Sequence, residues 1–197
     1  MRLVILTAAL LLCVGGAFAA KDTCFECHSV MEGMSVIFKD DVHFHKGISC
    51  ADCHGGDPGD DDQNVSMSAQ RGFKVRVTRQ GTPDFCGRCH GHGLASYRTS
   101  VHSQRLAAGN AKSAECVDCH GVHNPRAAAD PLSPAGPQHL AETCGKCHAA
   151  GSAGAKVAAE MVPLLAGLKG SPESLVKARL AVHSFDVAAV KRAAGLP

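Results

Sequence analysis

The sequence predicts a mainly α-helical chain with extensive loops and little sheet, wrapped around something other than its own side chains. Three observations carry this. The 197 residues include no tryptophan and one tyrosine. A chain of that length is long enough to bury an ordinary core, but this one is short of large side chains to fill it. Eleven cysteines and twelve histidines are present, ten of the cysteines in five evenly built pairs. Apolar periodicity, where it occurs, is helical, and strand-like runs are few.

Each cysteine pair is followed at once by a histidine. The chain reads CFECH (Cys24, Cys27, His28), CADCH (Cys50, Cys53, His54), CGRCH (Cys86, Cys89, His90), CVDCH (Cys116, Cys119, His120) and CGKCH (Cys144, Cys147, His148). C-x-x-C-H is the attachment signature of c-type haem. Residues i, i+3 and i+4 share one face of a helical turn, so both sulfurs bond the porphyrin edge while the histidine meets the iron. Zinc ribbons join C-x-x-C pairs without an obligatory adjacent histidine. A disulfide scaffold would use the ten cysteines but not the five histidines, and a thioredoxin-like motif wants a strand–helix–strand setting that is missing here. Five covalently attached haem c groups are therefore expected, with the ten paired cysteines as attachment points and His28, His54, His90, His120 and His148 as proximal iron ligands. The fold implied is a multihaem cytochrome c, its polypeptide wrapped around a packed haem array.

The N-terminus, MRLVILTAALLLCVGGAFAAKD, has one basic residue, an apolar run and small residues before Lys21. That is the layout of a secretory signal peptide, with Ala17-Phe18-Ala19 as an A-x-A-like cleavage site. A retained anchor is disfavoured because the run is borderline for a span and contains Gly15-Gly16. Leu12 stands where a lipoprotein signal would carry a small residue, so Cys13 reads as part of the apolar run. No later segment is long and apolar enough to cross a bilayer. Loss of Arg2 with the leader leaves 19 basic against 18 acidic residues. Each ferric haem with two neutral ligands adds about −1 if its propionates ionise like ordinary carboxylates. Five of them would bring the oxidised protein to about −4, which argues against a nucleic-acid partner.

The organisation expected is a signal peptide over 1–20, a pentahaem domain over 21–150 and a C-terminal helical segment over 151–197 that packs on it. The motifs recur as a loose repeat of one haem-binding unit. GGDPGDDDQN, in the widest gap, does not have EF-hand spacing and reads as a solvated loop. DPLSPAGP, before the fifth motif, reads as an extended connector. Residues 94–108 read as a helix, with Leu94, Tyr97, Val101 and His102 at helical intervals and Gly109-Asn110 as a stop. In the tail, Val157, Met161, Leu164, Leu165 and Leu168 form one helical stripe, with a kink expected at Pro163. Ser171-Pro172-Glu173 then opens a second helix carrying Val176, Leu180 and His183 on one face. A helical pair is expected there.

Seven histidines lie outside the motifs: His43, His45, His92, His102, His123, His139 and His183. Haem iron takes two axial ligands, so seven candidates stand against five vacancies. His123 lies three residues after His120, too close to reach the other face of the same iron, and should serve a neighbouring haem. His102 and His183 sit on helical faces with apolar neighbours. His43 and His45 share a face if their segment is extended, and His43 is preferred. His139 completes the expected distal set of His43, His102, His123, His139 and His183, with His45 or His92 as its replacement. Methionine at Met31, Met34 or Met67 is the alternative sixth ligand, and would raise a potential.

The runs VHFHKGISCADCHGGDP, TPDFCGRCH, YRTSVHSQRL, CVDCHGVHNP and ETCGKCHAA resemble bacterial multihaem c-type cytochromes of the cytochrome c3-like and nitrite-reductase-donor type. The resemblance covers roughly residues 22–150, and VHSFD around His183 is similar to tails in that group. It implies low-potential, bis-histidine haems that conduct electrons. By position, His43, His102 and His123 resemble the usual distal ligands, whereas His45, His92 and His139 have no counterpart in that pattern.

The function expected is electron transport by an exported pentahaem cytochrome, periplasmic or extracellular. It would link a quinol dehydrogenase or periplasmic donor to a terminal reductase or outer-surface cytochrome. Two alternatives remain at this point. One is the protomer of an extracellular cytochrome filament or other homo-oligomer. The other is a multihaem reductase or oxidase of nitrogen or sulfur compounds, disfavoured because all five motifs end in histidine and no site is set aside for a substrate. No catalytic residue is expected.

Overall fold

The computed structural model describes residues 22–31 and 40–197. The leader expected over residues 1–20, and Met34, lie outside the described residues. In chain order the helices are α1 (Thr23–His28), α2 (Cys50–His54), α3 (Gln63–Ser66), α4 (Thr82–Gly87), α5 (Gly91–Arg98), α6 (Val101–Ala107), α7 (Cys116–His120), α8 (Leu140–Gly145), α9 (Ala153–Ala166), α10 (Pro172–Ala181) and α11 (Val187–Ala194). Single 3₁₀ turns occur at Phe44–Lys46, Ala69–Arg71 and Val182–Ser184. No strand occurs among the described residues, and the mainly helical, loop-rich class read from the sequence is the class observed.

The short helices are held by their ends, because a five- or six-residue helix has little internal stability of its own. The Asp22 carboxylate accepts from Phe25 N–H at 3.2 Å at the start of α1. At α7, Glu115 accepts from Val117 N–H at 3.0 Å, while Glu115 N–H donates to Asp118 Oδ2 at 2.8 Å. Ser49 N–H makes the equivalent bond to Asp52 Oδ2 at α2, 2.7 Å long. Each cap satisfies N–H groups that a helix start otherwise leaves unpaired.

Two departures from the sequence reading have local causes. The helix expected over 94–108 is broken into α5 and α6, because the buried Ser100 hydroxyl accepts from Ser103 N–H at 3.1 Å and begins a new helix there. A serine that bonds the backbone ahead of it favours a cap over a helix interior. The tail holds three helices rather than a pair. Asp186 caps α11 through Ala188 N–H at 2.9 Å, and Gly195 closes it at φ 70°. Both signals stand in the sequence, but the helix is only eight residues long.

The buried apolar core sits in the tail. Leu140 of α8, Met161 of α9, Ala178 of α10 and Val190 of α11 are packed together, with Val157, Leu164, Leu165 and Val187 against them. α10 and the Val182–Ser184 turn pack on α5. The motif-bearing part has few buried large side chains, chiefly Tyr97 and Leu106. Tyr97 O–H donates to Ala114 O at 2.9 Å, and burial pushes its pKa up to about 12. It is a packing residue that ties α5 to the approach of α7.

Candidate haem-binding sites

All five C-x-x-C-H motifs lie on a single helical turn. α1, α2 and α7 contain theirs entirely. At the ends of α4 and α8 the turn is completed by His90 N–H to Cys86 O and His148 N–H to Cys144 O, each 3.0 Å. None of the ten motif cysteines is in a disulfide. α1 packs against α2, and α4 against α7, so attachment sites that follow one another in the chain are neighbours in space. Cys86 and Cys116, from two different motifs, lie side by side.

Four of the five motif histidines face a histidine from elsewhere in the chain. The ring centres are 5.8 Å apart for His90 and His43, 6.0 Å for His54 and His123, 5.9 Å for His148 and His102, and 5.9 Å for His120 and His183. A metal–imidazole bond is about 2 Å, so two imidazoles on opposite sides of one metal ion have ring centres about 6 Å apart, allowing about 1 Å from each nitrogen to its ring centre. Among the described residues no three His, Cys, Asp or Glu side chains converge on one point. Bare zinc needs three or four protein donors, whereas an iron that arrives in a porphyrin lacks only two. Facing imidazoles beside cysteine pairs that form no disulfide therefore fit haem c.

The rings are held in orientation by hydrogen bonds. His54 Nδ1 lies 2.8 Å from Lys74 O, His183 Nδ1 3.1 Å from Leu180 O, and His43 Nδ1 3.1 Å from Asp41 Oδ1. Each is a hydrogen bond from Nδ1–H, which leaves Nε2 with its lone pair, the form a metal requires. Burial, with the charges of His183 and His90, pushes the His120 pKa down to about 4. Burial also lowers His102 and His123. His28 Nδ1 and His102 Nδ1 are buried without a protein partner.

Two loops deliver the facing histidines. Val42 N–H donates to Pro125 O at 2.8 Å, and Arg126 pairs with Asp40 at 2.5 Å, so the segments carrying His43 and His123 are clipped together. The Val182–Ser184 turn presents His183 to His120 and, two residues on, Phe185 edge-on to His102 with ring centres 4.6 Å apart. Phe185 adopts φ 55°, a left-handed conformation that costs a non-glycine residue about 1–2 kcal/mol.

The other candidates are placed differently. His139 Nε2 lies 3.1 Å from Pro131 O and its Nδ1 3.7 Å from Glu142, so the expected fifth distal residue has its ring engaged by its own loop. His45 and His92 are exposed. Met31 is half exposed and Met67 lies on the surface. No histidine ring among the described residues faces His28.

The cytochrome c3 family model matches residues 42–149. The chain belongs to the cytochrome c3 family. The match takes in four of the five motifs and the facing residues His43, His102 and His123, while Cys24, Cys27, His28 and the tail lie outside it. No curated protein and no solved structure matches the chain. As a member of the cytochrome c3 family the chain is a multihaem electron-transfer protein carrying covalently bound haem c.

Proposed function

We propose that the chain is an exported pentahaem electron carrier, with haems held through Cys24/Cys27, Cys50/Cys53, Cys86/Cys89, Cys116/Cys119 and Cys144/Cys147. The observation that carries this reading is the set of four facing histidine pairs. His90 with His43, His54 with His123, His148 with His102, and His120 with His183 act as axial ligand pairs. His28 is the proximal ligand of the remaining haem, and His139 falls outside the ligand set.

Bound haem supplies a one-electron couple. The chain does the rest. Imidazoles on both faces keep the coordination number the same in either oxidation state, so few atoms move on transfer. Contacts of α1 with α2 and of α4 with α7 hold consecutive attachment sites side by side. Facing imidazoles at four of the five motifs leave no open iron position there, which favours a carrier over a reductase of nitrogen or sulfur compounds. The donor is a quinol-linked or periplasmic protein, and the acceptor a terminal reductase or an outer-surface cytochrome. Among the described residues no helix is long and apolar enough to cross a membrane.

A second reading, a protomer of a cytochrome filament, draws on His28, which no histidine among the described residues faces, and on the exposed His45 and His92. Intact mass spectrometry of the exported protein tests the main reading. The expected mass is the chain without its first ~20 residues plus five haems; fewer haems, or a retained Met1, would overturn it. Sedimentation of the pure protein separates the two readings, since a filament grows with concentration and a carrier does not.

A further inference from the structure

We propose that Asp41 is a positioning residue that tunes one haem, making the site between His43 and His90 the most negative in potential of the four paired sites. The proposal rests on the axial pairs described above. Asp41 is 3% exposed, and a buried carboxylate calls for partners. It has two on His43: Oδ1 accepts from the backbone N–H at 2.7 Å and from the ring at Nδ1, 3.1 Å away.

The other facing rings lack this. His54 and His183 donate to backbone carbonyls, which are neutral, and His102 Nδ1 has no partner. Among the described facing pairs, only His43 is backed by a carboxylate. A carboxylate on the far nitrogen of a metal-bound imidazole raises its basicity and holds its orientation. Extra electron density and a nearby negative charge both stabilise the ferric state over the ferrous one, so the potential falls.

The adjacent cation does not cancel this charge. Arg126 is spent on Asp40 at 2.5 Å and Asp130 at 2.9 Å. The clip between Val42 and Pro125 also sets Asp41 near the second site.

The test is spectroelectrochemical titration of the holoprotein beside its Asp41→Asn, Asp40→Asn and His43→Met variants. Asn keeps the acceptor oxygen for the His43 backbone and removes the charge. The expected result is one couple raised until its ferrous-to-ferric ratio at fixed potential grows about tenfold, or about 59 mV for one electron, with all haems low-spin. His43→Met should raise that same couple further, since a methionine ligand raises the potential, and so identifies the haem. An unchanged couple in Asp41→Asn, or an equal shift in Asp40→Asn, overturns the role of Asp41 while leaving the axial pairs standing. If His43→Met moves no couple, the axial reading itself fails. Should Asp41→Asn lose a low-spin haem, Asp41→Glu decides: a low-spin array with that couple still lowest supports the proposal, and a raised couple overturns it.

Discussion

The imidazoles of His120 and His183 face one another with ring centres 5.9 Å apart and planes inclined at 16°, although one belongs to a haem motif and the other to the tail. The tail reaches that position because α10 and the turn after it pack on α5, which brings His183 Nε2 to ordinary contact distance of Gly93, 4.0 Å from where a Cβ would stand. The C-terminal helices are thus both the conventional core of the described residues and the arm that brings a second imidazole to His120.

His183→Ala is expected to turn one haem of the array high-spin and to lower resistance to unfolding, because that haem loses its link to the tail. Electron paramagnetic resonance of the oxidised protein reads the first effect and thermal denaturation the second. A fully low-spin spectrum in the variant would return His183 to a packing role.

Carbon monoxide separates the four paired sites from the His28 site, which no histidine among the described residues faces. Irons held by imidazole on both faces leave no position for it, so four haems of the reduced protein should not respond. At most one equivalent should bind, at the haem attached through Cys24 and Cys27. Two or more equivalents in a spectroscopic titration would contradict the four pairs.

Gly154 of α9 lies directly under the His148 imidazole, and a Cβ there would collide with the ring at Nδ1 and Cε1. Gly154→Ala should displace His148 and disturb the haem attached through Cys144 and Cys147, at a cost of about 1–3 kcal/mol, as for other overpacked sites. The check is a changed low-spin signal from one haem. An unaltered spectrum and melting point would show that α9 can move aside.

Arg79 joins the loop before α4 to the start of α7. It donates to Asp118 at 2.5 and 3.2 Å and to Ser113 O at 2.8 Å, and it lies 3.6 Å from the buried Glu115. Arg79→Ala leaves that carboxylate without its cation, so a loss of about 2–3 kcal/mol is expected. Denaturant unfolding of the holoprotein measures it, and Arg79→Lys should recover only part, since lysine lacks the two-pronged geometry. Full stability in Arg79→Ala would show the pair to be solvated.

The sequence by itself determined the local chemistry. C-x-x-C-H places its three reactive groups on one turn through bonds no longer than i to i+4, and capping residues such as Asp22, Glu115 and Ser171 act over two or three positions. Such signals survive in a linear reading, and with them the helical class, the attachment cysteines and the pool of histidines. Which histidine faces which was a matter for the tertiary structure alone. His43 meets His90 from a segment whose backbone is bonded at Val42 to Pro125, beside His123, and His183 meets His120 from a turn that packs with α10 on α5. His139 shows the converse: nearest to the fifth motif in sequence, it is held by Pro131 O and Glu142, while His148 faces the more distant His102. An axial pair is a contact across the haem between segments far apart in the chain. Its partners are set by how loops and helices pack, and residue spacing carries no record of that.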